Sequence, residues 1–335
     1  MDSGDLDGDG REELLLLAEG TLALYRFDTD HFQHIVDYPL PNHLALHKIF
    51  LADLDRNNQL EIYIGASHGD IPASLILSWD GSRFMLLNQN IPYYLRPDTN
   101  SAGNQILLGQ MGNIQADAHF SPIYRIIIHQ DGRLERREEV AMPRGLNIYD
   151  FIRADLDQNG SREVIGITPD NKLVVFNQAG TLLWKSEETY GAGRDIFGTL
   201  TSNKEANDER AGERIRNYIH TRIIAQDQTG DGRPEIIIGR NRVTNVKFFK
   251  NLRYFEGSSL AALRWDGSQL NTLWETREIP GYTVDYQILQ QASSPDQFRL
   301  FFVESDDSGI PLSFWSADDT RMHLYGMGKV GRGEQ

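Results

Sequence analysis

The residues best placed to do chemistry are carboxylates in a nine-residue pattern. In Asp5-Leu6-Asp7-Gly8-Asp9-Gly10-Arg11-Glu12-Glu13, acids stand at positions 1, 3 and 5, a glycine at 6 and a further acid at 9. Alternate carboxylates on one tight turn converge on a point. A hard cation that takes six to eight oxygens suits such a point, which makes calcium the expected occupant. The pattern returns at Asp53, Asp55, Asn57 and Glu61; at Asp155, Asp157, Asn159 and Glu163; and at Asp227, Thr229, Asp231 and Glu235. Asp, Asn and Gly are also common turn residues, but carboxylates packed this closely repel one another unless a cation lies among them. Up to four calcium ions are expected.

An EF-hand loop also begins with acids at 1, 3 and 5 and a glycine at 6. It requires a bidentate glutamate at position 12 and a helix on each side. Position 12 is here Leu16, Ile64, Gly166 and Ile238. The EF-hand and dockerin readings therefore fail.

Other candidate motifs carry less. Gly326-Met-Gly328-Lys-Val-Gly331 has the spacing of a dinucleotide fingerprint but is followed by four residues, too few for the helix that must receive the pyrophosphate. It reads as a flexible tail, 326–335. His31, His34, His43 and His47 lack acidic or cysteine partners at ligand spacing, so zinc is not expected. Trp79, Trp184, Trp265, Trp274 and Trp315 read as packing between repeats ahead of a sugar-stacking surface. Asn159-Gly-Ser161 is a glycosylation sequon whose asparagine is better used as a metal ligand. There is no G-x-S-x-G elbow, P-loop or H-E-x-x-H.

The acidic loops must be held by strands. Each runs into an apolar β-type segment: LLLLA, EIYIGA, EVIGIT or EIIIGR. A second element recurs, a β run, a polar turn and another β run: LALYRFDTDHFQHI, LILSWDGSRFMLL, RIIIHQDGRLERR, LVVFNQAGTLLW, LAALRWDGSQLNTLW and LSFWSADDTRMHLY. The turns centre near Asp28, Asp80, Asp131, Ala179, Asp266 and Asp318, in steps of 52, 51, 48, 87 and 52 residues. Four antiparallel strands repeated about every 50 residues are the blade of a β-propeller. The expected fold is thus all-β, with six blade units, at about 1–43, 44–95, 96–145, 146–190, 221–280 and 281–325, in one domain of six or seven blades. Two units have lost the acids: DTNSAGNQI puts Ile106 at position 9, and QASSPDQF offers too few oxygens.

Insertions are expected at 190–220, where NKEANDERAGERIRNYI could form a short helix, and at 241–257, inside the fifth unit. Loops on a rigid repeat are common binding sites. The first unit begins at its acidic loop, with Met-Asp-Ser-Gly in place of a first strand. That strand is expected to lie upstream, in a longer protein.

Composition bounds the partners. The formal net charge of −15 argues against nucleic acid and anionic membranes. Thirteen of the acids are loop ligands, so four calcium ions would offset eight of the fifteen charges. Cysteine is absent, which removes disulfides and thiol chemistry. No run of 18 apolar residues spans a membrane. Loops of this kind suit the millimolar calcium of the periplasm or exterior, although Met1 leaves no room for a signal peptide ahead of the first loop.

The segments DLDGDGREELLLL, DLDQNGSREVIGI and DQTGDGRPEIIIG resemble FG-GAP/VCBS repeats, the calcium-loop propeller units also found in integrin α-subunit head domains. The resemblance covers nearly the whole chain as repeat architecture. It implies a loop joining the first two strands of a blade, on one face of a seven-bladed propeller, around a structural metal. The implied ligands are the side chains at positions 1, 3, 5 and 9 and the carbonyl at 7, here Arg11, Gln59, Ser161 and Arg233. Two departures stand out. Asn58 replaces the position 6 glycine, although asparagine tolerates the left-handed conformation, and Thr229 replaces a carboxylate.

The expected function is a non-catalytic, calcium-binding module at a cell surface or in the periplasm, presenting its inserted loops to a protein or glycan partner. The rival is a carbohydrate-active lyase or hydrolase whose carboxylates gather from several blades on one face, because fold does not fix function.

Overall fold

The computed structural model describes residues 1–335 apart from 19, 29–30, 101, 113–120, 130, 198–216, 246–252, 292–293, 306–319 and 328–335. All regular structure among the described residues is β. Six antiparallel sheets follow one another along the chain, each built as a meander of neighbouring strands. They are the six blades of a β-propeller fold. The first comprises Asp2–Gly4, Glu13–Ala18, Thr21–Asp28 and His31–Pro39. The next four, at 45–91, 94–139, 151–189 and 223–275, repeat the order, the second with a two-residue extra strand, Ile71–Pro72. The sixth has three strands among the described residues: Tyr282–Gln291, Ser294–Ser305 and Thr320–Met327.

Burial explains why these segments are strands and in this order. The second strand of a blade is covered on both faces: in Glu61–His68 every residue but the last is buried. Such a strand reads as a continuous apolar run. The outermost strand is wetter, and in Phe84–Ile91 only the two end residues are buried.

The chain divides into two compact units, Met1–Met142 with Ile196–Asn217, and Pro143–Asp195 with Tyr218–Gln335. In the first, one apolar cluster joins blades 1 and 2 through Leu15, Leu24, Ile62, Leu77 and Trp79, and another joins blades 2 and 3 through Tyr63, Ile76, Leu95 and Leu107. In the second, blades 4 and 5 share a cluster containing Ile165, Val175, Ile236, Leu263 and Trp265, and blades 5 and 6 share one containing Ile237, Leu260, Tyr286 and Phe302. Trp79 and Trp265 therefore pack between blades. Trp315 lies outside the described residues.

Two expectations are corrected. Asp2–Gly4 is the first strand of blade 1, pairing Asp2 with Leu15, Ser3 with Leu14 and Gly4 with Glu13. Three residues suffice because Asp2 Oδ2 also accepts the Leu51 N–H at 2.8 Å, tying the strand to blade 2. In blade 6, Thr320–Met327 pairs directly with Ser294–Ser305, Phe302 facing His323. The segment RMHLY, expected as the last strand of its blade, thus neighbours Ser294–Ser305; the turn expected at Asp318 lies outside the described residues. Gly326 and Met327 continue that strand, so the tail does not begin at 326.

The expected insertions have anchored ends. Tyr190, Ala192 and Ile219 are buried, and the Ile219 N–H bonds Asp195 O at 2.7 Å. The segment read as a short helix, 203–219, lies almost wholly outside the described residues. At 241–257 the two long strands of blade 5 simply run on, pairing Arg242 with Gly257 and Asn245 with Arg253. Phe255 is buried there, its ring stacked on Tyr282 at 4.7 Å.

Candidate metal centres

Each acidic loop joins the first two strands of its blade, in blades 1, 2, 4 and 5. Its geometry is repeated with small variation. The position 1 aspartate accepts at least two backbone N–H groups. Asp5 takes Gly8 and Gly10 (2.8 and 3.0 Å) and Asp53 takes Asn57 and Asn58 (3.0 and 2.9 Å). Asp155 takes Asn159 and Gly160 (3.1 and 2.9 Å), and Asp227 takes Gly230 and Gly232 (both 2.7 Å). The position 5 side chain accepts the position 7 N–H: Asp9 from Arg11, Asn57 from Gln59, Asn159 from Ser161 and Asp231 from Arg233.

The position 9 glutamate is buried in all four loops, and its Oε2 accepts the position 2 N–H. The pairs are Glu13 with Leu6 (3.0 Å), Glu61 with Leu54 (3.0 Å), Glu163 with Leu156 (3.1 Å) and Glu235 with Gln228 (2.8 Å). Burial pushes the Glu13, Glu61 and Glu163 carboxyls up from the ordinary range, opposed by that amide and reinforced by the loop aspartates. A buried carboxylate crowded by others is stabilised as an anion by a cation.

The backbone is turned at positions 4 and 6. Both hold positive φ in every loop: Gly8 and Gly10, Arg56 and Asn58, Gln158 and Gly160, Gly230 and Gly232. Asn58 adopts φ 64°, the conformation its glycine counterparts adopt. The position 4 side chain can also strap one loop to the next blade. Arg56 Nη2 donates to Asn104 Oδ1 at 3.1 Å, and Gln158 Nε2 to Asp231 O at 3.3 Å.

Three loops gather carboxylate oxygens within 4.8 Å of one another: Asp5, Asp7 and Glu13; Asp53, Asp55 and Glu61; Asp155, Asp157 and Glu163. These donor sets, all oxygen and all anionic, fit calcium. In the fourth loop Thr229 takes the place of the position 3 carboxylate, leaving Asp227, Asp231 and Glu235. In the first three loops the side chains at positions 1, 3 and 9 are thus brought together.

Two arginines that the loop motif does not contain enter these sites. Arg26 Nε donates to Glu13 Oε1 at 3.1 Å and Nη2 to Asp7 Oδ2 at 2.6 Å. Arg264 Nε donates to Glu235 Oε1 at 3.0 Å and Nη2 to Thr229 Oγ1 at 2.6 Å. The glutamate hydrogen bonds hold both guanidinium groups charged more firmly than usual. A signal for them exists in the sequence. Two residues before the turn centre, the hairpins of blades 1, 2, 4 and 5 read Arg26, Ser78, Asn177 and Arg264.

Two of the clustered histidines have other partners. His34 pairs with Asp37 on the same exposed strand at 2.8 Å, and His47 is buried against Ser67 at 2.9 Å.

Six meander blades, four with an acidic loop between their first two strands, define a β-propeller with a repeated acidic loop. Residues 5–64, which hold the first two loops, match the FG-GAP-like repeat. That match and the six-blade fold together support an FG-GAP-like repeat propeller. Among solved structures it is similar to the crystal structure of BBS1N in complex with ARL6DN soaked with mercury, with 11% sequence identity and a TM-score of 0.46, over 98% of this chain and 91% of that one. It is also similar to a luciferin-regenerating enzyme, with 11% identity and a TM-score of 0.44, over the same shares. Comparison with curated proteins gives no match.

Proposed function

We propose that this chain is a non-catalytic interaction module whose acidic loops hold calcium as a structural ion, and that it works in the periplasm, at the outer surface or outside the cell. The observation that carries the reading is the repetition of one loop geometry, with a buried glutamate beside a half-buried and an exposed aspartate. In the second loop Asp53, Asp55, Asn57 and Glu61 would hold the ion, and in the third Asp155, Asp157, Asn159 and Glu163. Bound calcium would neutralise the carboxylates and lock the turn that sets the first two strands of a blade in register. A site filled by side chains of one turn leaves little room for a substrate.

Exposed apolar side chains favour a protein partner over solvent alone. Leu86 and Leu87 on the outer strand of blade 2, Leu182 and Leu183 on that of blade 4, and Met322 and Tyr325 on the last strand of blade 6 are exposed. No helix among the described residues is long and apolar enough to cross a membrane.

The test is capture by the immobilised chain, with calcium and with chelator, from an extract of the cell envelope and on a glycan array. Calcium-dependent capture of a defined protein or glycan is expected. Turnover of any arrayed glycan would replace this reading with the lyase or hydrolase alternative.

A further inference from the structure

The four loops are of two kinds, distinguished by the residue across the strand pair from the position 9 glutamate. In blade 1 Glu13 faces Arg26, and in blade 2 Glu61 faces Ser78. One step beyond the pairs Val164 with Phe176 and Ile236 with Leu263, Glu163 faces Asn177 and Glu235 faces Arg264. The same place in the blade thus holds an arginine twice and a short neutral side chain twice.

Both arginines reach positions 3, 5 and 9, whose side chains are among those that would ligate a metal. Arg26 bonds Glu13 and Asp7, and its Nη2 lies 3.8 Å from Asp9 Oδ2. Arg264 bonds Glu235 and Thr229, and its Nη2 lies 3.4 Å from Asp231 Oδ2. A guanidinium with its donors on these oxygens uses the lone pairs a dication needs, and repels that dication from the same space. Its charge is permanent and covalently tethered. Thr229 fits the scheme, because a site served by one positive charge needs fewer carboxylates than one built for two. In the second and third loops, Ser78 and Asn177 carry no charge. Among the described residues no lysine or arginine pairs with Asp53, Asp55, Glu61, Asp155, Asp157 or Glu163. There the position 3 aspartate accepts the neutral side-chain amide of position 5, Asn57 or Asn159, at 3.0 Å, and that residue's backbone N–H at 3.1 and 3.2 Å.

We infer that Arg26 and Arg264 are the resident cations of the first and fourth loops, and that metal binding is confined to the loops at Asp53 and Asp155. The second clause rests on the calcium reading above; the first does not. Blades 1 and 5 would then keep their loops closed without calcium, while blades 2 and 4 depend on it.

Calcium binding to the whole chain, stripped with chelator and followed by equilibrium dialysis, tests both clauses. Two ions per chain are expected for the unaltered protein, three for Arg26→Gln or Arg264→Gln, and four for the double variant. Conversely, Ser78→Arg should lower the count from two to one, a measurement that does not depend on the glutamine variants folding. Four ions on the unaltered chain overturn the inference. So does an unchanged count in both the double variant and Ser78→Arg. No ion on the unaltered chain but two on the double variant would uphold the arginines' role and overturn the calcium reading of the second and third loops.

Discussion

His220 Nδ1 lies 2.7 Å from Asp150 Oδ1, across 70 residues of sequence, and both side chains are shut away from solvent. The second oxygen, Asp150 Oδ2, accepts the Asn147 N–H at 2.8 Å. A carboxylate so placed fixes the turn ahead of the first strand of blade 4 to the segment entering blade 5. Removing one member of a buried pair leaves the other without compensation, which typically costs about 3–5 kcal/mol. Asp150→Ala should lose stability on that scale in urea unfolding. A loss below about 1 kcal/mol, the scale of an exposed ion pair, would show that the pair does not brace the fold.

A pH dependence should arise from His47. Its side chain is buried, with the ring edge-on to Tyr94 at 5.7 Å. Burial, reinforced by the neighbouring Lys48 charge, lowers its pKa from 6.5 to about 4. The fold therefore prefers the neutral ring, and between these values the unfolded chain binds more protons. The His47 contribution is fully present above about pH 6.5 and is lost as the pH falls toward 4, by on the order of 3 kcal/mol. His47→Gln should flatten the slope of unfolding free energy across that window. An unchanged slope would assign the acid sensitivity to other groups.

Calcium should raise the melting temperature, because an ion bound only by the native state adds stability as its concentration rises, about 2.7 kcal/mol at a hundredfold excess over its dissociation constant. Scanning calorimetry with calcium and with chelator is the measurement. Identical melting in both would leave the loops as acidic turns. Asp157→Ala should lower the ion count by one and leave the other loops unaffected.

Position 6 of the second loop tests the backbone argument. Asn58 sits at φ 64°, where a side chain branched at Cβ is strained. Asn58→Val should cost at least the roughly 1–2 kcal/mol of the left-handed conformation, whereas Asn58→Gly should change stability by no more than about 0.5 kcal/mol. Equal effects from the two substitutions would mean that the loop can relax out of this turn.

The sequence by itself determined the blade repeat and the acidic loops, because both are local. Nine residues supply a whole turn with its oxygens, and a hairpin such as LILSWDGSRFMLL contains both its strands and its turn. That the strands of blade 3 persist without an acidic loop was legible for the same reason: Asp98 still pairs with Ile106 across a short turn.

What depends on residues far apart was decided only by the tertiary structure. Nothing in Met-Asp-Ser-Gly announces a strand. It becomes one because the second strand of blade 1 offers a free edge and Leu51 offers an N–H to Asp2. RMHLY reads as the last strand of its blade, and only the pairing shows that it neighbours Ser294–Ser305, since a strand takes whichever edge is available. Arg26 and Arg264 are unremarkable in a list of loop residues. They enter the sites because antiparallel register sets them opposite Glu13 and Glu235, and a guanidinium is long enough to span three positions of the turn. His220 and Asp150 meet for the same kind of reason: each is uninformative in sequence, and the packing of blade 4 beside blade 5 makes them a pair.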